Sequence, residues 1–267
     1  MAHPKLLYLF SPNAPMGSQL FSLGDGSDGV FNPGANTTID GIKQYTSFHI
    51  ASGITVTQTA NTGVLIIMVQ GDATIAGALN LNGKGYGEPG SFEFAWGSGL
   101  GRGWHDGGGP AYGNVDLMPI YLGSAGANGG GAGWGNGGAG GGAVILVARK
   151  ITVTGSITAN GSTGGGSSGG GAGGSIWLVA LEMSLGTDLL TATGAAGLTG
   201  ALYGGGGAGH GAPGGAPTNG GGGAGAIGRI RLDYKSLTGS TNPAAHEHPG
   251  VILGYLKQFA ASAGLGM

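Results

Sequence analysis

No cysteine occurs in this chain, so no disulfide staples it and no thiolate is there to bind a metal or act as a nucleophile. Charge is almost as scarce. Asp, Glu, Lys and Arg make up 8% of the residues, against about 25% in ordinary soluble domains. The formal net charge is −2, which excludes a nucleic-acid footprint and a polybasic membrane patch. Long hydrophobic runs are missing too. The longest aliphatic stretch, Val64-Leu65-Ile66-Ile67-Met68-Val69, falls far short of the roughly 20 residues that a bilayer helix requires, so no membrane insertion is expected. The opening MAHPKLLYLFSPNAP holds an apolar run below the about 7–15 residues of a secretory h-region, and export by a standard signal is not expected.

What is abundant is glycine, 67 of 267 residues, beside 40% hydrophobic residues that suffice for a core. The glycines are not scattered. Within 123–142, every third position from Gly123 is small: Gly123, Gly126, Gly129, Ala132, Gly135, Gly138 and Gly141. The same period runs through Gly161, Gly164, Ser167, Gly170 and Gly173, and again from Gly205 through Ala208, Gly211, Gly214, Pro217, Gly220 and Gly223 to Ala226. A polyproline-II helix has three residues per turn and no internal hydrogen bonds, so a small-residue edge lets neighbouring backbones approach and bond one another. Flexible linkers are the competing reading. Against it, each tract is flanked by a strongly apolar segment.

Those segments repeat. Ile66-Ile67-Met68-Val69 aligns with Val144-Ile145-Leu146-Val147, and the alignment continues as 73–83 over 151–161. A third copy starts at Ile176-Trp177-Leu178-Val179, a shortened fourth at Ile230, and an earlier partial one covers Phe48-His49-Ile50 with Ile54-Thr55-Val56-Thr57. Alternation at period two, rich in β-branched residues, predicts strands. Repeats that cannot bury their own faces must stack. The expected fold is all-β: a β-solenoid-like stack of strand repeats with glycine-rich polyproline-II helices packed as a layer. The expected organisation is an N-terminal attachment segment over 1–45, the repeat β-core with its glycine layer and aromatic loops over 46–238, and a C-terminal segment over 239–267. A short helix is expected at 251–263.

Three stretches carry a resemblance: Gly137-Gly138-Ala139-Gly140-Gly141-Gly142-Ala143-Val144, Gly170-Gly171-Ala172-Gly173-Gly174-Ser175-Ile176, and Gly222-Gly223-Ala224-Gly225-Ala226-Ile227-Gly228-Arg229-Ile230. With them the chain resembles the glycine-rich adhesins that tip the long tail fibres of some T-even-like bacteriophages, and a wider set of phage and bacterial surface proteins built of GGxGGxI units. The resemblance implies a sandwich of polyproline-II helices whose distal loops meet a host outer-membrane protein or polysaccharide. It also implies other virion proteins as partners. The expected location is the virion, at its tail or surface, with a bacterial cell surface as the alternative. A homo-oligomer and a chain complete in itself both fit this picture.

Recognition residues are expected on the loops that interrupt the glycine, because rigid scaffolds present binding groups on loops. The first loop, 84–122, holds Tyr86, Phe92, Phe94, Trp96, Arg102, Trp104, His105, Asp106, Tyr112 and Tyr121; the second, 198–219, holds Tyr203, His210, Pro213, Pro217 and Asn219. The receptor-binding candidates are Phe92, Phe94, Trp96, Trp104, His105, Tyr112, Tyr121, Tyr203 and His210, since aromatic side chains supply large contact area at small entropic cost. Folding back to cap the ends of the stack is the competing role for these rings. Trp134 and Trp177 are assigned to structure.

Nothing in the sequence assembles a catalytic centre. Asp25, Asp28 and Asp40 lie near an Asp-Gly-rich stretch that reads as a turn rather than a calcium loop. His246-Glu247-His248 offers two imidazoles, but His-x-His alone is a weak metal signal and Pro249 suggests a loop. His105-Asp106 suits recognition better than a proton relay, and no Gly-Lys-Ser/Thr follows the glycine runs to make a phosphate loop. The acids of the repeat core, Asp72, Glu182, Asp188 and Asp233, are far apart in sequence, unlike the clustered carboxylates of solenoid polysaccharide enzymes. The expectation is a non-enzymatic protein with no catalytic residue, no metal and no cofactor. A purely structural virion protein, such as a capsid decoration or fibre component, is the main alternative to an adhesin.

Overall fold

The structure is a computed structural model that describes residues 22–87, 99–100, 108–129, 135–198, 206–207, 209, 213–217 and 222–250. Its regular elements are strands, which fall into successive groups along the chain. The first group is β1 (Val30–Phe31) and β2 (Thr37–Thr38), and the second is β3 (Ile42–Tyr45), β4 (Ser47–Ile50) and β5 (Thr55–Thr57). The third holds β6 (Val64–Val69), β7 (Asp72–Ile75) and β8 (Ala78–Asn80), and the fourth β9 (Ala143–Val147), β10 (Lys150–Val153) and β11 (Ser156–Thr158). Then come β12 (Ser175–Ser184) with β13 (Leu190–Thr191), β14 (Arg229–Thr238) with β15 (Thr241–Asn242), and finally β16 (His246–Pro249). Among the described residues no helix is long and apolar enough to cross a membrane.

The strands pair in parallel, each with its counterpart in a neighbouring group. One sheet has ten strands, running β1-β4-β7-β10-β12-β9-β6-β3, with β14 also bonded to β12 and β16 bonded to β14; a second has six, running β15-β13-β11-β8-β5-β2. Parallel sheets buried on both faces read as near-continuous apolar runs. All five residues of β9 are buried, as are the first six of β12. Side chains that alternate to the inner face, Val144 and Leu146 of β9 with Ile176, Leu178 and Ala180 of β12, join Leu65, Ile67, Phe48 and Ile230 in one large core. The outer-facing Ile145, Val147, Trp177 and Val179 form a second apolar cluster, covered by Leu117 with Met118 and Ile120.

This arrangement corrects the expected fold class. The strands do not build a β-solenoid-like stack beside a polyproline-II layer, because they join into a parallel sheet that nearly closes on itself. Instead the large sheet doubles back through β12, whose first half bonds β9 and whose second half bonds β10. The result is a nearly closed, barrel-like parallel sheet wrapped around the core. The cause lies in strand continuity. The chain bends between β6 and β7, and between β9 and β10, but β12 runs through ten residues without a break and fuses the two rows into one sheet.

The tracts are nevertheless close neighbours. Gly123, Gly126 and Gly129 donate their N–H groups to the carbonyls of Gly141, Gly138 and Gly135, at 2.9, 2.9 and 3.2 Å. Gly138 and Gly141 donate in turn to Gly169 and Ala172, and Gly170 and Gly173 to Gly223 and Ala226. These bonds close the 123–142 tract on itself, join it to the second tract and join the second to the third, so the glycines named satisfy their backbone donors on neighbouring glycine segments. Glycine is required for this approach: a Cβ placed on Gly141 would lie 1.9 Å from the Ala159 carbonyl oxygen.

The repeat alignment matches the observed register for two of its three strands. Ala73 faces Ile151 and Leu79 faces Ile157, as 73–83 over 151–161 requires. The first strand is displaced by one residue, because Leu65 rather than Ile66 faces Val144. Residues 30–45 supply β1, β2 and β3, and residues 241–249 supply β15 and β16, so strands of both flanking segments enter the sheets. The helix expected at 251–263 and Trp134 lie outside the described residues.

Candidate functional site

Of the receptor-binding candidates, Phe92, Phe94, Trp96, Trp104, His105, Tyr203 and His210 lie outside the described residues, whereas Tyr112 and Tyr121 lie within them. Those two rings meet edge to face, with centroids 5.8 Å apart and planes at 73°. The Tyr112 hydroxyl donates to the Leu122 carbonyl. Burial pushes this phenol up to about 12, so it stays a neutral donor. The Tyr121 carbonyl accepts a hydrogen bond from Ser175 Oγ at 2.7 Å. Both tyrosines therefore anchor the end of the first loop to the framework.

The two loops share a footing. Gly109 N–H donates to Gly206 O at 3.0 Å, Gly214 N–H donates to Gly109 O at 3.0 Å, and Tyr112 N–H reaches Gly209 O at 3.5 Å. At its other end the first loop leaves the framework at Tyr86, whose N–H donates to Gly123 O and whose carbonyl accepts from Gly140 N–H. Segments far apart in sequence are thus held side by side by main-chain bonds that do not depend on side-chain identity.

A second constellation lies at strand β16, which pairs with β14 in the large sheet, where the sequence suggested a loop. His246–Pro249 is strand β16, not a loop, and its pairing with β14 sets Arg231 opposite His246 and Asp233 opposite His248. Alternation puts these four side chains on one face, beside Trp177 on β12. Pro249 ends the strand and bonds nothing through its nitrogen, which an edge strand tolerates.

Beneath the histidines is a buried ion pair. Arg231 grips Asp233 in a fork, Nε to Oδ2 at 2.8 Å and Nη2 to Oδ1 at 2.9 Å, and both residues are almost fully buried. Trp177 Nε1 donates to the same Oδ2 at 2.6 Å, and the guanidinium carbon stands 4.4 Å from the centre of a Trp177 ring. The remaining arm, Nη1, donates to the Asp116 carbonyl at 2.6 Å. Trp177 therefore packs as structure but also fixes this network.

Asp116 belongs to the segment that covers the outer face of the sheet. Asn114 pins that segment by donating from Nδ2 to Met118 O at 2.9 Å and accepting from Met118 N–H at 3.2 Å. Leu117 adopts a left-handed φ of 54° and is fully buried, a conformation that a non-glycine residue holds only when its surroundings impose it. The Asp116 carboxylate then comes within 3.1 Å of His246 Nε2 and 3.5 Å of His248 Nε2. The imidazoles meet edge to face with centroids 4.5 Å apart. Burial, reinforced by the nearby Arg231 charge, holds His248 below the ordinary histidine value, which favours the neutral ring and its free lone pair. Next to them, Tyr234 donates to Glu247, and that hydrogen bond together with burial pushes the Tyr234 phenol up to about 12.

The other acids have structural duties. Asp25 and Asp28 accept the N–H groups of Ser27 and Gln44, and Asp40 accepts from the N–H and Oγ of Thr59. Asp72 and Glu182, distant in sequence, flank Lys150 on adjacent strands. Glu182 lies 3.4 Å from the Lys150 ammonium and Asp72 lies 3.3 Å from Arg149. Compared with known protein families, curated proteins and solved structures, the chain matches none.

Proposed function

We propose that this is a non-enzymatic virion protein of a phage, an adhesin at the tail or tail-fibre tip that binds a protein or polysaccharide of the host surface through its two aromatic loops. The observation that carries this reading is the shared footing of the loops: Gly109, Gly206, Gly209, Tyr112 and Gly214 join their stems through main-chain hydrogen bonds. A recognition surface assembled from two loops needs that rigidity, because each mobile side chain or loop ordered on binding subtracts from affinity. The resemblance of the glycine stretches to tail-fibre adhesins supports the same assignment. Scarce charge suits a surface that recognises by stacking and shape rather than by electrostatic steering.

The test is binding of purified, labelled protein to intact candidate host cells, with Trp96→Ala and Trp104→Ala compared with the native chain. Saturable binding should fall by roughly 30-fold or more in at least one variant, the loss of a hot-spot tryptophan worth about 2 kcal/mol, while the unfolding midpoint is unchanged. Native binding that persists undiminished in both folded variants overturns the loop assignment. Absence of binding to every susceptible host, with particles that lose stability when the protein is missing, favours a purely structural virion role.

A further inference from the structure

We propose that Asp116, His246 and His248 form a binding site for a divalent transition-metal ion of the zinc class, and that the ion fastens the 114–122 segment to strand β16. The proposal does not depend on the adhesin reading.

The donor atoms are already converged. One ligand atom from each of the three residues lies within 4.8 Å of the other two. Zinc binds histidine nitrogen and carboxylate oxygen at about 2.0–2.2 Å, usually in a tetrahedron, which sets ligand atoms roughly 3.3–3.6 Å from one another. Of the two histidine-to-aspartate separations, 3.5 Å falls within that range and 3.1 Å lies just below it. The histidine donor atoms lie within 4.8 Å of each other, so the two rings would close by up to about 1.5 Å to complete the tetrahedron around an ion.

The chemistry of the set points the same way. Two imidazoles and one carboxylate are the ligands zinc takes in three-residue sites, with water in the fourth position. His-x-His on a strand delivers both rings to one face without any turn. Nε2 of His248 is shielded from solvent and makes no hydrogen bond among the described residues, so its lone pair is not otherwise engaged. The His246 and Asp116 side chains are 41% and 47% exposed, which leaves the cluster open to an incoming ion.

The surroundings hold the ligands in place. Arg231 grips the Asp116 carbonyl, and Leu117, the next residue, is buried in the outer apolar cluster. The Arg231 charge does not stand alone against a cation, because Asp233 neutralises it in a two-point bond. Supporting contacts of this kind orient metal ligands in known sites.

The experiment uses the full chain, stripped with EDTA and titrated with Zn2+ by calorimetry and with Co2+ by visible absorption. One Zn2+ should bind per chain, with a rise in Tm, and Co2+ should give the intense visible bands of tetrahedral coordination. His246→Gln and His248→Gln should each weaken Zn2+ binding by more than about 100-fold, beyond the loss seen when only an outer-shell partner is removed. If the native chain takes up no Zn2+, or if binding survives in both variants at the native affinity, the proposal is wrong. Should a variant fail to fold, the native chain still decides: Zn2+ must protect His246 and His248 from diethyl pyrocarbonate, read by mass spectrometry, and equal labelling with and without the ion overturns the site.

Discussion

Asp233 holds the most demanding position of any single residue. Fully buried, it accepts two hydrogen bonds from Arg231 and one from Trp177. Asp233→Ala leaves the guanidinium uncompensated in the interior, which should cost about 3–5 kcal/mol, read as a lower urea midpoint with an unchanged slope. The double variant Arg231→Met, Asp233→Leu should lose less, because nothing charged is then stranded, although the Trp177 N–H gives up its acceptor. At the other extreme of exposure, the Thr59 hydroxyl and N–H hold the Asp40 carboxyl below its ordinary value of 3.8. A folded value lower than the unfolded one stabilises the fold above the unfolded value, and the benefit disappears as pH falls through the folded one. Urea unfolding of the native chain and Asp40→Asn across pH should therefore show a constant difference at neutral pH that shrinks below about pH 4.

Among elements, the glycine tracts and the strands obey different packing rules. Where the tracts touch, the obstacle to a side chain is main chain, which cannot rotate away. Gly141→Ala should thus be strongly destabilising, at or above the about 1–3 kcal/mol usual for overpacking, since its Cβ would meet the Ala159 carbonyl. Gly34 has open space around it and no left-handed φ, so Gly34→Ala should be neutral or stabilising by up to about 1 kcal/mol through the unfolded chain. Thermal melts of the two variants separate the cases. The same contrast explains what the sequence could reveal about the elements. Period-two patterns located β7, β8, β10 and β11 in their true register because Ala73, Leu79, Ile151 and Ile157 alternate with polar neighbours. In β6 and β9 every residue is apolar or nearly so, alternation vanishes, and a shift of one residue leaves the pattern equally good. The observed register brings an additional residue into the bend before Asp72, compared with the bend before Lys150. For β16, Pro249 outweighed a His-x-His pattern that alternation alone would have marked as strand.

At the scale of the whole molecule, strand content was legible but closure was not. Whether two rows of strands stay separate or merge depends on the unbroken strands β12 and β14, and nothing local distinguishes a bend at Ala148-Arg149 from its absence at Ala180-Leu181. The metal-ligand cluster was hidden for a similar reason. Asp116 reaches the two histidines only because Leu117 docks on the outer face of the sheet, a partnership made across most of the length of the described chain. The aromatic loops, by contrast, stood out by composition, and the structure adds the common footing of their stems. The hydrogen-bonded glycine tracts also have a thermal consequence. Unfolding them exposes mainly peptide groups, whose hydration lowers the heat capacity, whereas unfolding an apolar core raises it. With glycine at 67 of 267 residues, the heat-capacity increment per residue is expected to fall below that of a fold held by side chains alone. The stability curve against temperature should be flatter in consequence, which scanning calorimetry would read as a small heat-capacity step on unfolding.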